Sequence, residues 1–148
     1  MLNRRHVLLG LAMAPLATPA LAAKPEIYAA RGAAIGGYDP VAFFTAQRAV
    51  KGKSAHTVAW RGATWQFSNA ENRAAFEANP TQFAPQYGGY CSYAVSRGYT
   101  ASTDPQAWTL HDGKLYLNYS LNVRSIWREN IPGNVRKANA NWPNVLNA

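Results

Sequence analysis

Trp108-Thr109-Leu110-His111-Asp112-Gly113-Lys114-Leu115-Tyr116-Leu117-Asn118-Tyr119 is the stretch that decides the fold class. Asp-Gly between two apolar and aromatic runs is the strongest short-range hairpin signal, because both central residues of a type I′ turn need positive φ. The strands are expected over 108–111 and 114–119. Ser120 follows as an N-cap, and Val123, Ile126, Trp127 and Asn130 then recur on one helical stripe. Arg124 and Arg128 fall on another face, where solvent is their simplest partner. Pro132-Gly133 breaks that helix, and a last one is expected over 134–142, before Pro143.

Toward the N-terminus a second hairpin is legible. His56-Thr57-Val58-Ala59-Trp60 and Thr64-Trp65-Gln66-Phe67 alternate at period two around Arg61-Gly62-Ala63. Val58, Trp60, Trp65 and Phe67 can share one face only if the turn adjusts the register. Ser68 or Asn69 then caps a helix to Ala78, with Glu71 in its first turn, Phe76 as its core residue and Pro80 as its stop. Upstream, Asp39-Pro40-Val41-Ala42-Phe43-Phe44 reads as a capped short helix ending near Gln47. Residues 24–36 form a lead-in with little periodicity. Residues 81–89 read as loop or a single turn, and 90–96 as helix in preference to strand. The expected fold is α+β: one small domain, two β-hairpins forming an antiparallel sheet, packed against several short helices.

Length and composition fit that picture. The chain has 148 residues and 48% hydrophobic content, enough for one domain with a real core. Residues 1–22 are read as a signal peptide. Asn3-Arg4-Arg5-His6 leads into an apolar run, Leu8 to Leu16, and Ala20-Leu21-Ala22 supplies small residues for cleavage. The run is too short to span a bilayer, so no transmembrane segment is expected in the mature chain, 23–148. Arg4-Arg5 followed by Val7-Leu8 fits twin-arginine export, with a plain secretory signal as the alternative. The protein is therefore expected in the periplasm. Losing the two leader arginines lowers the formal charge from +8 to +6. Nucleic acid is an unsuitable partner in that compartment; a metal ion or small ligand is the expected one.

Both methionines, Met1 and Met13, lie in the leader, which leaves one cysteine and two histidines in the exported chain. The cysteine stands in Tyr87-Gly88-Gly89-Tyr90-Cys91-Ser92-Tyr93, after a glycine pair that permits positive φ and close chain approach. An unpaired thiol in an oxidising compartment is unusual, and no internal disulfide is open to it. Cys91 is either a small packed hydrophobe or the reactive centre. Tyr38, Tyr87, Tyr90 and Tyr93 are core aromatics or a phenol-lined pocket around the thiol. His56 is a strand-edge residue or a ligand; His111 is an exposed turn residue in the simplest reading.

The segments GYDPVAFF, the strand with His56, WQFSNAENRAAFEANPTQFAPQYGGYC and DGKLYLNYS together resemble the YHS domain family, over about residues 35–143. The likeness is to its small exported bacterial branch, often described as (seleno)proteins. Wider YHS domains occur beside metal-handling proteins such as copper-transporting ATPases, so the resemblance implies heavy-metal binding. This chain keeps Asp39-Pro40-Val41, His56 and Trp65-Gln66-Phe67-Ser68. It has Ala42 where the wider family has its first cysteine, Phe44 where it has methionine, and no sulfur at the second cysteine position. The family's thiolate ligands therefore do not carry over.

The expected function is a copper-favoured metal module using Cys91 and His56, since Cu(I) accepts few, soft ligands. Zinc would need His111 or a carboxylate such as Asp39, Asp104 or Asp112 as well. The alternatives are thiol redox chemistry at Cys91, requiring an external thiol for turnover, or a non-catalytic binding or structural module. No hydrolase elbow, phosphate loop or dinucleotide fingerprint is present.

Overall fold

The computed structural model describes Gly10, residues 12–15 and residues 23–148. The expected signal peptide thus lies almost wholly outside the described residues; Gly10 and residues 12–15 carry neither helix nor strand.

From Ala23 the chain is α+β, and the lead-in is part of the core. Strands β1 (Ala29–Ala30) and β2 (Ala33–Ala34) form a small hairpin, and Ile27, Ala33, Ala34 and Ile35 are all buried. So few small apolar residues show no periodicity, yet they fill a core against larger neighbours. The backbone ties them in: Tyr28 N–H donates to Gly88 O at 2.8 Å, and Ile35 N–H to Tyr28 O at 2.9 Å.

Helix α1 (Ala42–Thr45) starts from a buried carboxylate. Asp39 Oδ1 accepts from Val41 N at 2.9 Å and Ala42 N at 3.2 Å. Its Oδ2 accepts from Ser68 N at 2.8 Å, Ser68 Oγ at 2.7 Å and Asn72 Nδ2 at 2.8 Å. Five neutral donors replace the water that a fully buried anion has lost.

Strands β3 (Lys53–Trp60) and β4 (Ala63–Phe67) form the second hairpin. Its turn is shorter than the sequence suggests. Arg61 and Gly62 both take positive φ, +50° and +76°, so Ala63 joins the strand and pairs with Trp60. Val58 then faces Trp65, and Val58, Trp60, Trp65 and Phe67 share one side. Helix α2 (Ala70–Ala78) closes over that side. Asn69 Oδ1 caps it at Asn72 N, and Phe76 places its ring 5.2 Å from Trp65 and 5.1 Å from Phe67.

Pro80 ends α2 and opens α3 (Pro80–Phe83); a 3₁₀ turn over Gln86–Gly89 and α4 (Ser92–Ser96) follow. The third hairpin is the expected one, β5 (Asp104–His111) with β6 (Lys114–Asn118), turning at Asp112 and Gly113 with φ +49° and +72°. Strand β6 is buried on both sides. Leu115 and Leu117 join the cluster of Phe43, Trp65, Phe67 and Phe76, while Tyr116 joins Tyr87, Val95 and Trp127. The two long hairpins do not pair with each other, contrary to the single sheet expected; each stays two-stranded. The 3₁₀ turn, α4 and α5 pack along β6 instead.

Helix α5 (Leu121–Arg128) is capped by Ser120 Oγ, which accepts from Val123 N at 3.1 Å. Trp127 is its buried residue; Ile126, expected on the same stripe, is exposed. Arg124 and Arg128 are not free in solvent. Arg124 donates to the carbonyls of Gln106 and Trp108, and Arg128 to Thr109 Oγ1, so the pair strap α5 to β5. Helix α6 (Ile131–Asn141) begins three residues earlier than expected, with Pro132 in its first turn, where no backbone N–H is needed. Among the described residues no helix is long and apolar enough to cross a membrane.

Two stability tests follow from these ties. Asp39→Asn should lower stability by on the order of 3 kcal/mol, since at least one buried donor loses its acceptor; an unchanged denaturant midpoint would mean the carboxylate is not needed. Gly62→Ala meets open space and should cost about 1 kcal/mol for its positive φ alone. Gly88→Ala has a comparable φ, +63°, but its Cβ would lie 1.8 Å from Glu26 O, so it should cost at least about 2 kcal/mol more. Equal losses in the two variants would refute the close approach.

Candidate functional site

The turn before Cys91 is built from left-handed residues in succession. Tyr87, Gly88 and Gly89 have φ of +58°, +63° and +85°. The glycines take this without cost; Tyr87 does not, and its hydroxyl is held by Asn139 Oδ1 at 2.9 Å. Tyr90 OH donates to Pro25 O at 2.8 Å, and Cys91 N–H to Ala101 O at 3.0 Å. The thiol is thus delivered at the residue that precedes the short helix α4.

Around the sulfur the partners are amides. Tyr119 N–H donates to Cys91 Sγ at 3.3 Å, and the thiol donates to Asn118 Oδ1 at 3.5 Å. The same Oδ1 accepts Tyr93 N–H at 3.0 Å, which fixes the amide's orientation. An oxygen beside the sulfur calls for a protonated thiol. Burial pushes the Cys91 thiol up, while the backbone amides of Ala94, Tyr119 and Tyr93 work against that rise. Asn118 Nδ2 and Ser92 Oγ are buried with no partner among the described residues.

Cys91 is only 1% exposed, yet it forms part of the wall of a cavity of about 260 Å³. Tyr93, Ala94, Tyr99, Ala101, Tyr119 and Val123 complete that wall. The cavity is apolar and aromatic, with Arg97 lying over the Tyr93 ring at 4.9 Å. Of the four tyrosines expected around the thiol, Tyr93 alone lines it. Tyr87 and Tyr90 pack against Trp142 in the second apolar cluster, and burial pushes both phenols up and keeps them neutral. Tyr38 bridges to Lys51 and lines a separate hollow beside Tyr28 and Arg31. Tyr99, Tyr119 and Asn118 were not singled out by sequence. The alternation of β6 does put Asn118 on the Tyr116 side, but it does not reveal what stands opposite.

The histidines stand elsewhere. His56 lies within the irregular part of β3, between Lys53 and Thr57, on an element that packs against β4 and α2. It is neither a hydrogen-bond partner of the sulfur nor a residue of its cavity. His111 Nε2 lies 3.3 Å from Asp112 Oδ2 at the hairpin turn. Asp39 is occupied by its five donors, and Asp104 Oδ1 accepts from Gln106 N. Among the described residues no three histidine, cysteine, aspartate or glutamate side chains are grouped to hold a metal ion. The groups hydrogen-bonded to the sulfur are amides, not the imidazole or second thiolate that copper and zinc prefer.

The raised thiol has a measurable sign. Below about pH 8.5 the thiol holds its proton in both folded and unfolded chains and adds no pH dependence. Above it the unfolded thiol ionises first, so the native state loses stability as pH climbs through the raised native value. Denaturant melts of the wild type and Cys91→Ala should therefore diverge above about pH 8.5, the wild type falling more steeply. Parallel pH profiles would mean an ordinary thiol. The chain matches no family model, no curated protein and no solved structure.

Proposed function

We propose that this chain is an exported YHS-like domain that works as a thiol protein, with Cys91 exchanging disulfides with small apolar compounds. The observation that carries the reading is the position of the sulfur: it forms one wall of an apolar cavity and already accepts an N–H from Tyr119. The copper reading through Cys91 and His56 has no such support, because no imidazole accompanies the sulfur.

The chemistry needs only the thiol and a disulfide. Cys91 gives up its proton to solvent, and the thiolate attacks one sulfur of R–S–S–R. The Cys91–sulfur bond forms as the S–S bond breaks, and the leaving thiolate takes a proton. Cys91 and one R–S unit are then joined as a mixed disulfide; a second thiol reverses the step and restores Cys91. The amides of Tyr119, Tyr93 and Ala94 stabilise the charged sulfur, whereas Asn118 Oδ1 favours the neutral one. Such a thiol rests protonated and reacts through a small ionised fraction.

Dithiodipyridine, an uncharged aromatic disulfide, is a direct probe. The native protein should take up one equivalent, seen as a single adduct by intact mass, at a rate that rises with pH beyond the range of a free cysteine. Hydroxyethyl disulfide, which is hydrophilic, should react at least about tenfold more slowly after correction for its intrinsic rate. Cys91→Ser should form no adduct. Labelling that begins only in denaturant would reduce Cys91 to a packed residue and end the proposal.

A further inference from the structure

A second cavity, larger than the one beside the sulfur, lies away from it and shares none of its lining residues. It measures about 420 Å³. Four separate stretches wall it: Glu26 with Ile27, Trp60 with Arg61 at the β3–β4 turn, residues 81–88, and Asn139 with Trp142 at the end of α6. These walls are held before any ligand arrives. Tyr90 OH fixes Pro25 O beside Glu26, Tyr28 N–H fixes Gly88 O, and Tyr87 OH fixes Asn139.

One charge of each sign stands at this cavity. Arg61, in its left-handed turn conformation, lays its guanidinium over the Trp60 ring at 4.3 Å. The same group reaches Glu26, with Nη1 to Oε1 at 3.6 Å. That distance is too long for a good hydrogen bond, and the side chains are 48% and 50% exposed, so the pair is a weak one. The rest of the wall includes Ile27, Ala84, Pro85 and Trp142, which are apolar, with Gln86 and Asn139 as amide donors and acceptors.

A ligand carrying adjacent opposite charges would replace that weak pair with two charge-assisted hydrogen bonds. A purely anionic ligand would meet Glu26, and a purely cationic one would meet Arg61. We propose that this cavity binds a free zwitterionic α-amino acid with an apolar side chain. Its α-carboxylate pairs with Arg61, its α-ammonium with Glu26, and its side chain covers the apolar wall.

Calorimetric titration of the full chain with L-phenylalanine tests this, with L-leucine as a second zwitterion. L-Phenylalaninamide lacks the carboxylate and N-acetyl-L-phenylalanine lacks the ammonium. Phenylalanine should bind at one site, and each analogue at least about tenfold more weakly. Glu26→Gln and Arg61→Gln, both at half-exposed positions, should keep the wild-type melt and lose a similar factor. Cys91→Ser should bind normally, which separates this site from the thiol. The proposal is overturned by no binding of either amino acid, by equal binding of the analogues, or by unchanged affinity in both variants. The analogue comparison on the wild-type chain decides the matter if a variant fails to fold.

Discussion

The structure depends on β6 having two buried faces. A strand alternates its side chains, so a five-residue strand with apolar matter on both sides must serve two cores at once. Leu115 and Leu117 complete the cluster under the β3–β4 hairpin; Tyr116 enters the cluster under α5 and α6. Asn118 follows Tyr116 on the second face and is fully buried there. That register presents an amide oxygen to Cys91. A slip of one residue would exchange the two faces, burying Leu117 beside the thiol and turning Asn118 into the first cluster.

Around that strand, two contacts that are not hydrophobic set how the remaining pieces meet. Asp39 ties α1 to the end of β4 and the start of α2 through five hydrogen bonds from four residues, Val41, Ala42, Ser68 and Asn72. It does so without a cation, so its charge is met by dipoles alone. Gly88 ties the N-terminal segment to the turn before Cys91 by close backbone approach. Both contacts are specific rather than strong in bulk: apolar burial would tolerate several arrangements of these short elements, and these contacts select one. The Gly88 contact also places Glu26 beside the turn that delivers the sulfur.

Much of the fold is written locally and was legible for that reason. Asp112-Gly113, Ser120 and Asn69 act within a few residues of themselves, and each does what its chemistry predicts. The buried lead-in and the separate hairpins were not legible, because each is settled by a partner distant in sequence; the shortened turn was missed because it needs positive φ at Arg61, which that residue type does not signal. The site divides the same way. Cys91 after a glycine turn could be read from the residues around it. Its real neighbours, Asn118 at the end of β6 and Tyr119 just after it, lie 27 and 28 positions away, and hydrogen bonding rather than composition reveals them. Tyr87 and Tyr90 pack on Trp142 rather than line the thiol's cavity, and a partner some fifty residues away in sequence is not visible from the loop alone. Arg124 and Arg128 looked solvated because helical spacing cannot show the β5 carbonyls that receive them.

The environment of Cys91 argues for a thiol that is guarded rather than activated. An activated cysteine sits by a cation or imidazole that lowers its pKa before substrate arrives. Here desolvation wins at rest, and the oxygen of Asn118 adds to the preference for the proton. The amides that favour negative sulfur are in place but yield their benefit only once the proton has gone. Under the proposed disulfide exchange, a ligand filling the cavity acts by position more than by charge, because it brings a reacting sulfur into line with Cys91. Selectivity in that scheme rests on the wall of Tyr93, Tyr99 and Tyr119 rather than on the intrinsic reactivity of the thiol.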